Sequence, residues 1–187
     1  FVSLIGRPNV GKSTLLNTLI TQKIAITSDK AGTTRNVIQG IYNEKDYQII
    51  FVDTPGISKP INRLGKLLNK KAKEMTNDVD CILFVIDGKK GIGPGDKYIL
   101  NMLKKVEIPV ILVINKIDQI TDEILLYTIN EYKDLYPFSE IVPVSAMTND
   151  NVDRLITVIK KYLTDDVKYY DDDMITSSSM RFMVSEI

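Results

Sequence analysis

Short apolar runs alternate with stretches of helical spacing along most of this chain. The pattern predicts strands at 1–5, 37–42, 47–53, 81–87, 110–115 and 140–144, and helices near 12–20, 63–75, 96–105, 122–135 and 152–163. Four of the strand runs are almost unbroken aliphatic and β-branched sequence, of which Cys81-Ile82-Leu83-Phe84-Val85-Ile86 is one. A strand with one wet face would alternate, so unbroken runs imply cover on both faces. In the last helix Val152, Leu155, Ile156, Ile159 and Leu163 recur at the spacing of a single helix face. Strands alternating with helices argue for an α/β fold: about six strands, mostly parallel, with helices on both faces. The exception flanks Asn43-Glu44-Lys45-Asp46. That turn is too short for a crossover, so its two strands should pair as an antiparallel hairpin.

The pattern changes after Leu163. Asp165-Asp166 and Asp171-Asp172-Asp173 bracket Lys168-Tyr169-Tyr170, and Thr176-Ser177-Ser178-Ser179 follows, as in a solvated linker. The three aspartates read as an acidic loop rather than a metal site. Met180-Arg181-Phe182-Met183-Val184-Ser185-Glu186-Ile187 then resumes an apolar pattern. Residues 1–163 are therefore expected to be one domain, and 164–187 a linker and the opening of a second. Phe1-Val2-Ser3-Leu4-Ile5 already reads as strand, so the amino end looks trimmed.

Composition narrows the chemistry. The chain has 187 residues, 44% hydrophobic and 26% charged, with a formal net charge of zero. No global field draws it to nucleic acid or membrane, so any such contact needs a local patch. It has no histidine, which removes histidine bases and histidine metal ligands. The single Cys81 excludes an internal disulfide and suits a reducing compartment. Its apolar setting reads as a core thiol.

Between the first strand and the first helix stands Gly6-Arg7-Pro8-Asn9-Val10-Gly11-Lys12-Ser13. Glycines five positions apart followed by lysine and serine, after a strand and opening a helix, form the phosphate-binding loop of P-loop NTPases. Backbone N–H groups from Asn9, Val10, Gly11, Lys12, Ser13 and Thr14 are expected to converge on a phosphate at the helix start. Lys12 should reach the β and γ phosphates, and the Ser13 hydroxyl should ligate Mg²⁺.

Other strand ends supply the rest. Asp53-Thr54-Pro55-Gly56 follows the third strand; Asp53 is expected to act on Mg²⁺, and the Gly56 N–H to approach the γ phosphate. Asn115-Lys116-Ile117-Asp118 follows the fifth. The Asp118 carboxylate can accept from the N1–H and N2–H₂ edge of guanine, which adenine lacks, and a buried acceptor left without donors rejects the wrong base. The Lys116 stem can lie along the base, and Asn115 can tie its loop to the phosphate loop. Ser145-Ala146-Met147 follows the last strand, where the Ala146 N–H can donate to guanine O6. These elements in this order point to a guanine nucleotide, GTP or GDP.

With these residues in place the sequence resembles the translation-factor-like class of GTPases, most closely the Era family. The resemblance covers essentially the whole chain. It rests on Gly6–Thr14, on Ile26-Thr27-Ser28-Asp29-Lys30-Ala31-Gly32-Thr33-Thr34-Arg35, on Asp53–Ile57 and on Arg181–Ile187. Der and the G domain of MnmE share the loop and the Thr-Arg pair and are the alternative assignment, as nucleotide-gated binding modules. The resemblance implies a slow Mg²⁺-dependent GTPase. It also implies a following KH domain that binds 16S ribosomal RNA and the 30S subunit in ribosome assembly. A cytoplasmic monomer with a peripheral contact at the inner membrane goes with it.

The first switch falls at 28–40, where Thr33 or Thr34 should reach Mg²⁺; Thr34 is preferred because it adjoins Arg35. Ile57 stands where Ras-like proteins carry a water-orienting glutamine, so an unassisted rate near ~10⁻⁴ to 10⁻³ s⁻¹ is expected. In some GTPases of this class an asparagine at the place of Asn9 ligates K⁺, which neutralises transition-state charge; the other reading makes Asn9 a turn residue. Lys66, Lys70 and Lys73 in the second switch read as a wet helix face or as a contact for RNA or an acidic partner. Arg7 and Arg35 are further charges near the site.

Overall fold

The computed structural model describes residues 1–21, 37–53 and 79–164. Every predicted strand forms: β1 (Val2–Ile5), β2 (Val37–Asn43), β3 (Gln48–Asp53), β4 (Cys81–Asp87), β5 (Val110–Asn115) and β6 (Glu140–Pro143). The helices are α1 (Lys12–Thr21), α2 (Pro94–Leu103), α3 (Asp122–Lys133) and α4 (Val152–Lys160), with a 3₁₀ turn at Ile117–Gln119. The helix expected near 63–75, both switches beyond their strand residues, and the stretch 165–187 lie outside the described residues.

One six-stranded sheet runs in the order β2-β3-β1-β4-β5-β6. Only β2 and β3 pair antiparallel, through the short turn in which Glu44 N–H donates to Tyr47 O at 2.9 Å. All other neighbours are parallel. The unbroken runs of β4 and β5 are buried at every residue, because successive side chains go to opposite, equally covered faces. Leu83 and Val85 join Leu15 and Leu19 of α1 and Leu155 and Ile159 of α4. Ile82, Phe84 and Ile86 join Leu100 and Leu103 of α2 and Tyr132 of α3. Each such large side chain contributes about 1.5–3 kcal/mol on burial, so this sandwich fixes the strand order. Cys81 is fully buried, and burial pushes its thiol up to about 12, which suits a core residue and not a nucleophile.

The helix ends depart slightly from the sequence pattern. α2 starts at Pro94, two residues before the apolar spacing begins, because proline at the first helical position gives up no hydrogen bond. α3 starts where Thr121 Oγ1 accepts from Ile124 N–H at 3.4 Å. α1 lies so close to β2 that a Cβ on Gly40 would sit 2.0 Å from Ile20 Cδ1.

Because β1, β3, β4, β5 and β6 run parallel, their carboxyl ends share one edge of the sheet. Gly6, Asp53, Asp87, Asn115 and the Val144–Ser145 segment line up there, with Asp87 directly beside Asn115 in the register. From β1 the strand order first builds outward on one side, through β3 and β2, and then on the other, through β4, β5 and β6, and such a reversal is where open α/β sheets hold ligands.

Candidate nucleotide-binding site

The phosphate loop follows from three local requirements. Gly6 passes against β4: a Cβ there would come 2.3 Å from Val85 O. Asn9 turns the chain at φ 64, a left-handed conformation that asparagine tolerates. Gly11 has φ +94, and a Cβ on it would meet Asn115 Nδ2 at 2.3 Å. Both glycines are thus imposed by neighbouring strand ends as well as by the turn. Val10 between them is buried and holds the loop to the core. α1 begins at Lys12, so its first N–H groups and positive dipole end face the loop. Lys12 Nζ donates to Gly6 O at 2.8 Å and to Arg7 O at 2.6 Å, placing the ammonium across the loop. Ser13 and Thr14 are exposed at the same turn.

The base-side loops are bonded to this loop and to each other. Asn115, 2% exposed, donates from Nδ2 to Val10 O at 2.9 Å, and its Oδ1 accepts from Ala146 N–H at 3.0 Å. One buried amide therefore joins β5, the phosphate loop and the loop after β6. The Ala146 N–H, expected to face guanine O6, finds its acceptor within the protein in this structure. Ala146 O in turn accepts from Thr18 Oγ1 of α1 at 2.9 Å. Ser145 is fully buried and donates from Oγ to Asp118 Oδ1 at 2.8 Å, while the same Oγ accepts from Thr148 N–H at 3.2 Å. The exposed Asp118 carboxylate is thereby aimed by a buried hydroxyl, with its other oxygen left to a ligand edge. The loop is closed behind it by paired backbone bonds between Ser145 and Asp150, each 3.0 Å. Met147 at its tip is 78% exposed.

Lys116 sits at φ 66 and sends its stem past Gly11, where its Cε lies 3.8 Å from the Cβ position that glycine leaves open. Its Nζ donates to Asn9 O at 2.9 Å and to Asp87 Oδ2 at 2.8 Å. Both anchors hold the tip of the stem, which fixes where its methylenes lie beside the phosphate loop. Asp87 is a site residue that pattern reading did not single out. Burial pushes its carboxyl up, but the Lys116 hydrogen bond, the Lys89 N–H at 2.9 Å and the Lys116 and Lys90 charges prevail and hold it below the usual carboxylate range. The signal was present: an acid closing a wholly apolar strand, at the place in β4 that Asn115 occupies in β5.

Asp53 closes β3 at the same sheet edge as Gly6. Thr33, Thr34, Gly56, Ile57 and the lysines of the second switch lie outside the described residues. Among the described residues the structure brings together the phosphate loop, Asn115–Asp118 and Ser145–Ala146, the elements that the sequence pattern assigned to a guanine nucleotide.

Comparison with known proteins agrees in fold and in sequence. The model of a family described as 50S ribosome-binding GTPases matches residues 1–116. The chain is 43% identical to an Aquifex aeolicus Era tyrosine-to-alanine variant solved with GDP and AlF₄⁻; the match covers 98% of this chain and 63% of that one, with a TM-score of 0.73. It is 45% identical to Era solved with MgGDPNP and nucleotides 1506–1542 of 16S ribosomal RNA, over 94% of this chain and 60% of that one, again with a TM-score of 0.73. The G domain of the T. maritima FeoB iron transporter, 24% identical with a TM-score of 0.59, shares the fold. The chain spans about three fifths of the Era chains it matches.

Proposed function

The chain belongs to the family of 50S ribosome-binding GTPases, as an Era-like GTPase domain, and from that premise we propose that it hydrolyses GTP to GDP and phosphate as a switch in ribosome assembly. The observation that carries the reading is the Asn115 amide, which bonds the phosphate loop at Val10 O and the Ser145–Ala146 loop at the Ala146 N–H. That tie supports a reading in which Asp118 meets the base while the loop at 6–13 cradles the phosphates.

In this reading Asp118 accepts from guanine N1–H and N2–H₂, and Lys116 supports the base face. N–H groups of Asn9 to Thr14 hold the β phosphate. Water attacks the γ phosphorus, the bond to the β–γ bridging oxygen breaks, and GDP leaves with that oxygen. Lys12 and the Gly56 N–H stabilise charge on the transferred group, as phosphoryl transfer demands positioning and neutralisation more than a strong base. The donors fit Mg²⁺: the Ser13 hydroxyl, Asp53 and Thr34 are hard oxygen groups, and Mg²⁺ takes few protein ligands and completes its shell from phosphate and water. When bound, it would neutralise charge on the β and γ oxygens. Asn9 would hold K⁺ beside the same phosphates through its side chain, since its backbone already serves the turn and its carbonyl accepts from Lys116.

The RNA contact in this reading belongs to the part of an Era protein that this chain does not span. The family description names the large subunit, whereas the Era structure 45% identical to this chain holds 16S ribosomal RNA; the identity supports the small subunit and its RNA as partner. No helix among the described residues is long and apolar enough to cross a membrane. A cytoplasmic monomer touching the inner membrane only peripherally is the setting that accompanies this reading. A second reading, a nucleotide-gated binding module with little hydrolysis of its own, is favoured by Ile57, which can orient no water.

Single-turnover GTP hydrolysis, in KCl and in NaCl at equal ionic strength, separates the two. Faster turnover in K⁺ that Asn9→Ala abolishes is the outcome expected of a cation-assisted enzyme. Equal turnover in both salts, near ~10⁻⁴ s⁻¹, would remove K⁺ and leave the module. Displacement of bound GDP by ATP would end both.

A further inference from the structure

Arg7 is the second residue of the phosphate loop, yet its side chain leaves the site. Its Nη2 lies 2.9 Å from Asp96 Oδ2 and donates to Gly91 O at 3.2 Å. Asp96, in the first turn of α2, is fully buried, and the same Oδ2 accepts from Gly93 N–H at 2.8 Å. An acid in the first turn of a helix is ordinarily a solvated cap; a buried one needs a partner, because an unpaired buried carboxylate is costly. The surroundings are shaped to that partner. A Cβ on Gly93 would come 2.7 Å from Arg7 Nη1, and one on Gly95 2.8 Å from Arg7 Cδ. Gly93, Gly95 and Asp96 form a socket for one side chain from the far end of the sequence.

The backbone of that same residue belongs to the site. Arg7 O accepts from Lys12 Nζ at 2.6 Å, beside Gly6 O. We propose that Arg7 is a positioning residue for GTP hydrolysis: the socket at the start of α2 fixes the Arg7 carbonyl, and through it the Lys12 ammonium that the γ phosphate must meet. The inference rests on the GTPase reading above. It also takes Arg7 out of the candidates for a charge donor to phosphate, since its charge is spent on Asp96. The ion pair runs through Nη2 and Oδ2; Arg7 Nε and Asp96 Oδ1 are buried without hydrogen-bond partners among the described residues. A lysine at position 7, with its single ammonium, should therefore reproduce much of the contact.

The test compares the wild-type chain with Arg7→Lys and with the double variant Arg7→Gln, Asp96→Asn, which replaces the pair by neutral amides and leaves no buried charge alone. Melting temperature, GDP affinity, affinity for a non-hydrolysable GTP analogue and single-turnover rate are read for each. The double variant is expected to hydrolyse about tenfold more slowly, since a displacement near 1 Å costs up to ~10²-fold, and to disfavour the triphosphate relative to GDP. Its GDP affinity should stay within about threefold, and Arg7→Lys should lie close to wild type. Should the double variant not fold, Gly95→Ala, which keeps both charges and presses on the Arg7 stem at Cδ and Cγ, is expected to give the same split. Wild-type hydrolysis in the double variant, or in Gly95→Ala where that variant stands in for it, overturns the proposal, as does a loss of rate matched by an equal loss of GDP affinity, which would mean the pair only holds the fold. Failure of the wild type itself to bind GDP would instead bring down the GTPase reading, and this inference with it.

Discussion

On the side of the site where a base would lie, each polar group closes on another part of the protein. Asn115 joins two other loops, Ser145 aims Asp118, and Lys116 is held between Asn9 O and Asp87. On the side where the γ phosphate would lie, Asn9, Ser13 and Thr14 are exposed, and Thr34 and Gly56 fall outside the described residues. The difference fits the two tasks. Choosing a base needs an acceptor that cannot turn to suit the wrong ligand, so the groups that aim Asp118 are fixed in advance. Completing a transition state needs groups that gather around a transferred phosphoryl, and among the described residues Asn9, Ser13 and Thr14 face solvent for it.

The largest effect should follow from breaking the fixed side at its tip. Asp118→Asn exchanges an acceptor for an amide donor, so GDP affinity should fall by ~10⁴-fold. Xanthine nucleotides, which carry an oxygen at the place of the guanine amino group, should gain on GDP in a competition titration. Unchanged GDP affinity would show that the base is read elsewhere.

Asn115→Ala attacks the tie itself. It leaves Val10 O and Ala146 N–H without their buried partner, a loss of about 2–6 kcal/mol at about 1–3 per group. The melting temperature should drop by roughly 5–20 °C, and nucleotide affinity should fall with it because both halves of the site hang on that amide. A variant with wild-type melting would mean that the two halves are held independently.

The Lys116–Asp87 anchor should show itself in acid. The Asp87 carboxyl titrates lower in the folded protein than in the unfolded chain, so its contribution to stability is present above the unfolded value, near ~4. It is lost as the pH falls through the lower, folded value. Stability measured by urea at pH 3 to 5 should therefore slope less steeply in Asp87→Asn than in the wild type. The smallest effect belongs to Met147, which the sequence groups with the base loop but which is 78% exposed. Met147→Ala should change stability by less than about 0.5 kcal/mol and leave GDP binding within about twofold.

The strands, the hairpin and the phosphate loop were legible because each is written in neighbouring residues: period-two or unbroken apolar runs, a turn too short to cross over, glycines at fixed spacing. So was the grouping of Asp53, Asn115 and Ser145 at strand ends, since parallel strands put their carboxyl ends on one edge. Asp87, which closes an apolar strand, and Asp96, which opens a helix, were not read as site residues, because nothing local says which cation each will meet.

The amino-acid sequence by itself thus determined the alternation of elements, the covered sheet and the gathering of the candidate loops at one sheet edge, all properties of short segments and their periods. Only the tertiary structure decided that the Asn115 amide spans two loops, that Lys116 reaches Asp87, and that Arg7 fills a socket in front of α2. Those contacts join residues from 29 to 105 positions apart. They depend on β4 and β5 lying in that order beside β1, which is settled by how side chains pack on both faces of the sheet, and no single segment carries that information.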